Sequence, residues 1–258
     1  MAAIQKLLNI ALPPLSLVLL SSFMIPFLIF KVFIYVRNLF QTDEKLENKV
    51  VLITGAASGI GEVCSTLSAV DCLVNNAGIG KPSGFKDWSN ASEFTSIMDV
   101  NFWGSVYGTL CAIPHLKTSR GRIVVIASAL GWFPLPRFSI YSASKAAIIN
   151  YFETLRMELG CAIGITIVTP GVVKTDLGVT LIKEERIMDI IPMLSASELA
   201  ESIVKSACRG DMYLTEPSWV KVLFPFKLLY PPLVDWASRL FFALSPKINN
   251  SATELKPE

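Results

Sequence analysis

The 258-residue sequence predicts an α/β fold built on a parallel sheet, and two patterns support that prediction. Short apolar runs alternate with longer helical segments, an order in which helices connect parallel strands and cover both faces of the sheet. The first run, residues 50–54, is continuously apolar up to its threonine and ends at a glycine. A strand buried on both faces has this appearance.

The remaining elements follow in the same alternating order. Further strands are predicted at residues 72–74, 123–127, 165–168 and 212–214. Helices are predicted at residues 92–113, 142–159 and 197–207, and Ser197 is the expected N-cap of the last helix.

The composition excludes several classes of function. Hydrophobic residues make up 52% of the chain and charged residues only 17%, against about 25% charged in an average soluble domain. The 23 basic and 21 acidic residues give a net charge of +2, too little for a surface that follows nucleic-acid phosphates. A single histidine, His115, and five cysteines without C-x-x-C spacing predict no metal site.

An uncharged segment at residues 7–30 is the first of two apolar zones. As one helix its 24 residues would be about 36 Å long, enough to cross a membrane core of about 30 Å. Pro13, Pro14 and Pro26 interrupt it, and the uninterrupted part would span only about 16 Å. The favoured interpretation of residues 1–40 is a hairpin or monotopic anchor in a membrane or lipid surface; a spanning anchor and a soluble core helix are the alternatives.

The second apolar zone covers residues 217–244, where aromatic side chains alternate with a few charges. It predicts either an interfacial helical cap or a C-terminal helix that completes the core, and the pattern does not separate them. The predicted organisation is therefore an anchor at 1–40, a polar linker at 41–48, an α/β domain at 49–215, and a cap with a polar tail at 216–258.

A glycine-rich sequence, TGAASGIG at residues 54–61, follows the first strand directly. Glycines at this place allow a tight turn and bring backbone N–H groups at a helix N-terminus close to a pyrophosphate. The motif predicts a dinucleotide site, and its position after a buried strand strengthens that prediction.

Tyr141 and Lys145 stand four residues apart at the start of a predicted helix and so share one of its faces. A nearby ammonium stabilises a phenolate, so we expect Lys145 to lower the pKa of Tyr141. Such a tyrosine can exchange a proton with an alcohol or ketone oxygen near neutral pH. Ser128, which ends a strand 13 residues earlier, has a hydroxyl that could hold the same oxygen.

Together with NNAG at residues 75–78, Asn101 in a predicted helix, and PGVVKT at residues 170–175, these motifs occur in an order that is specific. Over residues 49–214 the chain resembles the short-chain dehydrogenase/reductase family. The resemblance implies a Rossmann-type, doubly wound parallel sheet, and hydride transfer between NAD(P)H and an alcohol or ketone.

The resemblance also implies a role for each matching residue. Tyr141 would be the proton donor and acceptor, Lys145 would lower its pKa and hold the nicotinamide ribose, Ser128 would position the substrate oxygen, and Asn101 would support a water-mediated proton relay. The implied cofactor-binding residues are Gly55, Ser58, Gly59, Ile60 and Gly61 at the phosphates, Asn76 and Ala77 at the ribose, and Val173 and Thr175 at the carboxamide.

The proline-containing apolar segment before this domain is similar to that of plant 11β-hydroxysteroid dehydrogenase-like proteins, the steroleosins of oil bodies. That resemblance implies NADP as cofactor, with NAD left open, and a sterol or steroid substrate. It also implies a lipid-droplet or endoplasmic-reticulum membrane location. The wider short-chain dehydrogenase/reductase resemblance implies that the helix from Ser142 could form a homodimer face.

One departure from the family is large. Only nine residues, 62–70, separate Gly61 from Asp71, where two strand–helix units of the family would require about 60 more. Strands 2 and 3 are therefore expected to be absent, together with the loop that distinguishes NAD from NADP. In the family order 3-2-1-4-5-6-7, strand 1 becomes an edge, and a helix left on its usual face would make a left-handed crossover, which is rare.

This departure leaves two hypotheses for function. The chain is either an active membrane-anchored NADP(H) oxidoreductase, or a catalytically impaired relative that associates with lipid droplets or the endoplasmic-reticulum membrane.

Overall fold

The computed structural model describes residues 49–55, 70–82, 91–182 and 193–243, and nine residues between 22 and 36. The chain divides into two compact units, Met1–Glu44 and Lys45–Glu258. The described residues of the first unit are helical. Most of the predicted anchor, the linker at 41–48 and residues 56–61 of the glycine-rich motif lie outside the described residues. Within the part of the chain that the structure describes, no helix combines the length and apolar character needed to cross a bilayer.

The second unit contains a five-stranded parallel sheet. Its strands are β1 (Val51–Ile53), β2 (Cys72–Asn75), β3 (Arg122–Ile126), β4 (Gly164–Val168) and β7 (Tyr213–Leu214), hydrogen-bonded in that order. All four neighbouring pairs are parallel, which confirms the predicted fold class and all five predicted strands. A separate pair consists of β5 (Val173–Lys174) and β6 (Leu194–Ser195).

Among the described residues the sheet begins at β1, the edge position expected if strands 2 and 3 are missing. Val51 and Ile53 are 41% and 48% exposed, whereas the strands that follow are mostly buried. The connection from β1 to β2 lies mostly outside the described residues, so the expectation about its handedness stays a prediction.

Asp71 holds β1 in place at the start of β2. Its carboxylate accepts a hydrogen bond from the backbone N–H of Val50 at 2.9 Å and forms an ion pair with Lys49 at 3.4 Å. Its backbone carbonyl accepts from the N–H of Arg122 at 3.0 Å, so Asp71 joins the first three strands. A side chain at Gly121 would place its Cβ 2.3 Å from that carbonyl oxygen, which is why the turn before β3 needs a glycine.

Helices cover both faces of the sheet. Their bounds are α1 (Ala91–Met98), α2 (Gly104–Ser119), α3 (Ser139–Leu159), α4 (Asp176–Ile182), α5 (Ala196–Arg209), α6 (Leu223–Leu229) and α7 (Pro231–Ala243). On one face, α2 and α3 pack against Leu73, Ile123 and Ile167 of the sheet, with Phe152 of α3 fully buried. On the other face, Leu199 of α5 packs against the sheet.

Two helical predictions differ from the structure. The single helix predicted at residues 92–113 is interrupted by a π-helix, Asp99–Trp103, between α1 and α2. The predicted N-cap Ser197 is wrong, because the helix begins two residues earlier. Ser195 is extended, with φ −73° and ψ 152°, because β6 pairs with β5 up to this residue. Its hydroxyl accepts from the N–H of Glu198 at 3.2 Å, and the Glu198 carboxylate accepts from the N–H of Ser195 at 3.0 Å.

The C-terminal helices α6 and α7 leave many large apolar side chains exposed, among them Leu228 at 72% and Trp236 at 62%. Val220, in the short 3₁₀ helix before α6, is buried. The cap therefore contacts the domain through a few residues and presents an apolar surface elsewhere.

The capping arrangement of α5 makes a direct prediction. Ser195→Ala should lower the free energy of unfolding by about 1 kcal/mol, because it removes the acceptor for an unpaired helical N–H. Ser197→Ala is the matched control and should cost clearly less, although its hydroxyl lies 3.2 Å from that of Ser195. Urea unfolding of the two variants measures the difference, and equal losses would contradict the assignment of Ser195 as the cap.

Candidate active site

A cavity of about 550 Å³ lies at the carboxyl ends of β2, β3 and β4, the edge where open α/β sheets bind ligands. Six of the predicted site residues line it: Asn76, Ser128, Tyr141, Lys145, Val173 and Thr175. Gly55, Ala77 and Asn101 are described but are not among its lining residues. Ser58, Gly59, Ile60 and Gly61 lie outside the described residues.

Tyr141 and Lys145 project from the first turns of α3, and Ser128 follows β3 after one residue. The three side chains are buried, and the Ser128 hydroxyl hydrogen-bonds that of Tyr141. The Lys145 ammonium lies over the Tyr141 ring, 5.8 Å from its centroid, and donates to the backbone carbonyl of Ile126 at 2.9 Å. The β3–α3 unit therefore brings together the three groups that the sequence predicts to carry proton transfer.

Burial is the largest influence on the pKa values of Tyr141 and Lys145. It raises the pKa of Tyr141 above its usual value, and the hydrogen bond from Ser128 offsets part of that rise. The net pKa of Tyr141 therefore lies above its usual value because burial is the largest influence on it, and the expected lowering by Lys145 stays a prediction. Burial also lowers the pKa of Lys145 to about 8, since the charged form loses its hydration.

Asn101 lies in the π-helix, and its buried side chain connects two other segments. Its Oδ1 accepts from the N–H of Ile79 at 2.8 Å, and its Nδ2 donates to the Ile79 carbonyl and the Ser144 hydroxyl, both at 2.9 Å. Ser144 in turn donates to the carbonyl of Tyr141 at 2.8 Å. Both amide donors are used, so this side chain positions α3 and the loop after β2, and its part in a water-mediated relay stays a prediction.

Thr54, Gly55 and the loop after β2 form a second tight contact. The Thr54 hydroxyl accepts from the N–H groups of Asn76 at 3.0 Å and Ala77 at 3.1 Å, and the Asn76 amide donates to the Thr54 carbonyl at 3.2 Å. Gly55 has φ +79°, and a Cβ there would lie 2.7 Å from Cα of Ala77. Only glycine fits this turn, which holds Asn76 at the cavity. Thr54 belongs to the glycine-rich motif but is not among the predicted site residues.

Several further residues line the cavity but are not among the individually predicted site residues. They come from the segment between Ser128 and Tyr141, from α5 and from the cap: Leu130, Phe133, Leu135, Phe138, Leu199, Trp219, Val220, Leu223, Ala237 and Ser238. For the first of these groups, the mostly apolar segment at residues 130–138 is the available signal. The cavity wall is thus mostly apolar, and its polar side chains are those of Asn76, Ser128, Tyr141, Lys145, Thr175 and Ser238.

The local geometry also accommodates a ribose. Lys145 has three N–H donors, of which one is used by Ile126. Beside it Gly78 leaves space that a Cβ would fill, at 3.4 Å from the Lys145 ammonium and 3.5 Å from the Asn101 oxygen. These groups fit the nicotinamide ribose half of a dinucleotide. For the adenine half, the described residues contain no strand-2 loop.

Comparison with known proteins agrees with this geometry. The family model of short chain dehydrogenases matches residues 62–186. The 11-beta-hydroxysteroid dehydrogenase A of Sesamum indicum is 37% identical over 315 residues, covering 95% of this chain and 90% of the relative. The 11-beta-hydroxysteroid dehydrogenase of Pinus massoniana is 36% identical, covering 94% and 87%.

Two solved structures share the fold. A short chain dehydrogenase from Burkholderia cenocepacia in complex with NADP aligns with TM-score 0.60 and 20% identity, over 69% of this chain and 73% of that one. The 3-ketoacyl-(acyl-carrier-protein) reductase of Brucella melitensis, complexed with NADH, aligns with TM-score 0.58 and 25% identity, over 67% and 98%. The chain belongs to the short-chain dehydrogenase/reductase family of oxidoreductases.

The alignment lengths also measure the departure from the family. The Sesamum indicum alignment spans 315 positions, whereas 95% of this 258-residue chain is only about 245 residues. About 70 aligned positions of the relative therefore have no counterpart here. This agrees with the shortfall of about 60 residues that two strand–helix units represent.

The lowered pKa of Lys145 predicts how stability changes with pH. Below pH 8 this lysine is charged in both states; between pH 8 and its ordinary pKa of 10.5 only the unfolded state keeps the proton. The folded protein should therefore gain about 3 kcal/mol as pH rises through this window. Compared with a Lys145→Met variant, the wild type should gain that amount between pH 7 and pH 10.5 in denaturant unfolding. A constant difference would contradict the lowered pKa.

Proposed function

We propose that this protein is an NADP(H)-dependent oxidoreductase that interconverts a hydroxyl and a keto group on a lipophilic substrate of the sterol or steroid class. The observation that supports it most directly is the buried Ser128–Tyr141–Lys145 cluster facing an apolar cavity of about 550 Å³. The relatives named 11-beta-hydroxysteroid dehydrogenase and the structural neighbours bound to NADP or NADH support the same class of reaction.

In the proposed mechanism, the nicotinamide supplies or accepts the hydride when it is bound. Ser128 holds the substrate oxygen by hydrogen bonding, and Tyr141 gives that oxygen a proton during reduction or takes one during oxidation. Because burial raises its pKa, Tyr141 is protonated at neutral pH and is suited to the reducing direction. Lys145 would hold the nicotinamide ribose. Asn76, Val173 and Thr175 would border the cofactor, and the apolar wall would exclude water.

The second candidate is a catalytically impaired relative that keeps the fold and associates with lipid. The observation that favours it is the set of about 70 aligned positions without counterparts. In the family those residues would include the strand-2 loop, where an acidic side chain or an arginine selects NAD or NADP. A chain without that loop would depend on the nicotinamide half for most of its cofactor binding.

Both candidates include association with a lipid-droplet or endoplasmic-reticulum membrane surface. Residues 7–30 and the exposed apolar side chains of α6 and α7 support it. Lys221, Lys227 and Arg239 outnumber Asp235 in residues 217–243, so the cap carries positive charge among its apolar groups. Such a composition is typical of segments at a membrane interface. A homodimer through α3 is a further proposal, taken from the family resemblance.

The catalytic proposal predicts the effect of removing one hydroxyl. Tyr141→Phe should lower kcat on the order of 100- to 10,000-fold, the usual contribution of a general acid, while NADPH affinity changes little. Tyr151→Phe is the matched control on the same helix, since its ring contacts with Phe102 and Phe152 do not need the hydroxyl. The full chain in detergent, with NADPH and a panel of ketosteroids, provides the assay.

NADPH titration of the same preparation separates the two candidates. Micromolar binding that is lost in Lys145→Ala favours the enzyme. Absence of binding at millimolar NADPH would contradict it and favour the impaired relative.

The lipid proposal can be tested through the tryptophans. Residues 1–40 contain no tryptophan, so quenching by brominated phospholipid vesicles reports on the rest of the chain. Quenching should occur and should decrease in Trp236→Phe, because this side chain is on the exposed face of the cap. Trp103→Phe removes another exposed tryptophan and should leave the lipid-dependent quenching in place. Equal effects of both changes would contradict docking through the cap.

A further inference from the structure

The segment that follows Ser128 is held from two sides. Residues Ala129–Gly131 form a 3₁₀ turn in which the N–H of Leu130 donates to the Ser128 hydroxyl at 3.2 Å. Gly131 packs directly on α3, where a Cβ would lie 2.7 Å from Cδ1 of Ile149. On this side, the turn cannot move away from the catalytic helix without losing close packing.

The other side is held by the cap. The Lys227 ammonium of α6 donates to the backbone carbonyl of Trp132, and the Phe224 ring meets the Trp132 ring edge-on at 5.5 Å. Lys227 is partly buried, in contrast to its exposed neighbours in α6. Leu223, one turn before Lys227, lines the cavity, so one face of α6 contacts both the cavity and the segment after Ser128.

We infer that Lys227 and Phe224 are positioning residues, which hold Trp132 and thereby keep the Ser128 hydroxyl on Tyr141. The lysine donor fixes the backbone of the segment at Trp132, and the phenylalanine fixes its side chain. Since Ser128 stands only four residues earlier, movement at Trp132 is transmitted through the 3₁₀ turn. The C-terminal cap is then part of the catalytic arrangement and not only a wall of the cavity.

A chemical consequence follows for Tyr141. The hydrogen bond from Ser128 lowers the pKa of Tyr141 against the opposing effect of burial. If α6 no longer holds the segment, that hydrogen bond weakens and the pKa of Tyr141 rises further. The inference rests on the proposed function for its effect on catalysis, whereas the contact between α6 and the segment can be measured without cofactor or substrate.

Hydrogen exchange measured by mass spectrometry tests the contact in the full chain. The N–H groups of Gly131, Trp132 and Phe133 are bonded to the carbonyls of Ser128 and Ala129 at 2.8–3.1 Å, so their exchange reports opening of the turn. Lys227→Met keeps the apolar stem and removes the donor. We expect about tenfold faster exchange in peptides covering residues 129–135, with α3 unchanged.

Two control variants, and a third variant held in reserve, complete this experiment. Lys227→Arg restores a donor and should restore slow exchange, whereas Lys221→Met, at an exposed lysine just before α6, should change nothing. Should Lys227→Met accelerate exchange throughout the domain, Phe224→Leu provides the local test by removing the ring contact alone. The inference would be overturned if a folded Lys227→Met variant exchanged in these peptides at the wild-type rate. Where Lys227→Met accelerates exchange throughout the domain, a wild-type rate in folded Phe224→Leu would overturn it instead.

If the chain turns over substrate, the pH profile gives a second readout. In the oxidation direction the rising limb should move to higher pH in Lys227→Met, and kcat should fall about tenfold. A role limited to stability would lower the active fraction without moving that limb. An inactive chain with locally faster exchange contradicts the proposed function and supports the contact; an active chain with unchanged exchange and profile contradicts the contact.

Discussion

The buried amide of Asn101 is the interaction on which the arrangement of the site depends. It joins Ile79, which follows β2, to Ser144 in α3, and so connects the loop after β2 with the helix that carries Tyr141 and Lys145. The π-helix at Asp99–Trp103 is what points this side chain inward, at a place where a regular helix would have turned it by another angle. A buried amide with every donor satisfied stabilises one arrangement of its partners, because any other leaves a polar group unpaired.

The other buried polar groups of the site are also hydrogen-bonded to one another or to the backbone. Ser144 connects Asn101 to the backbone of Tyr141, and Tyr141 shares a hydrogen bond with Ser128. Lys145 donates to Ile126 at the end of β3. Each of these bonds lies where the carboxyl ends of neighbouring parallel strands meet, so the register of the sheet determines the geometry of the chemistry. The apolar cavity then keeps the hydroxyls away from bulk water, and burial determines the direction of both pKa changes.

The elements and the clustering of Ser128, Tyr141 and Lys145 could be predicted from sequence because their signals are local. Buried parallel strands appear as short apolar runs, and a Tyr–Lys pair four residues apart must share a helix face. The features that escaped prediction depend on contacts distant in sequence. Ser195 caps α5 in place of Ser197 because β6 pairs with β5. The π-helix places Asn101 against Ile79 and Ser144, which are 22 and 43 residues away in sequence. The rise in the pKa of Tyr141 depends on how completely the fold buries it.

The residues of the relatives that have no counterpart in this chain affect the two halves of the site differently. The groups that would act on the nicotinamide and the substrate come from β2, β3, α3 and β4, which are complete in the described structure. The groups that would hold the adenine come, in the family, from strands beyond the β1 edge, where Val51 and Ile53 are exposed. Binding energy from non-reacting parts of a ligand is what holds its reacting part in position. A chain with intact proton-transfer groups but no adenine pocket would therefore be limited by how long and how accurately the nicotinamide is held, not by the chemistry at Tyr141.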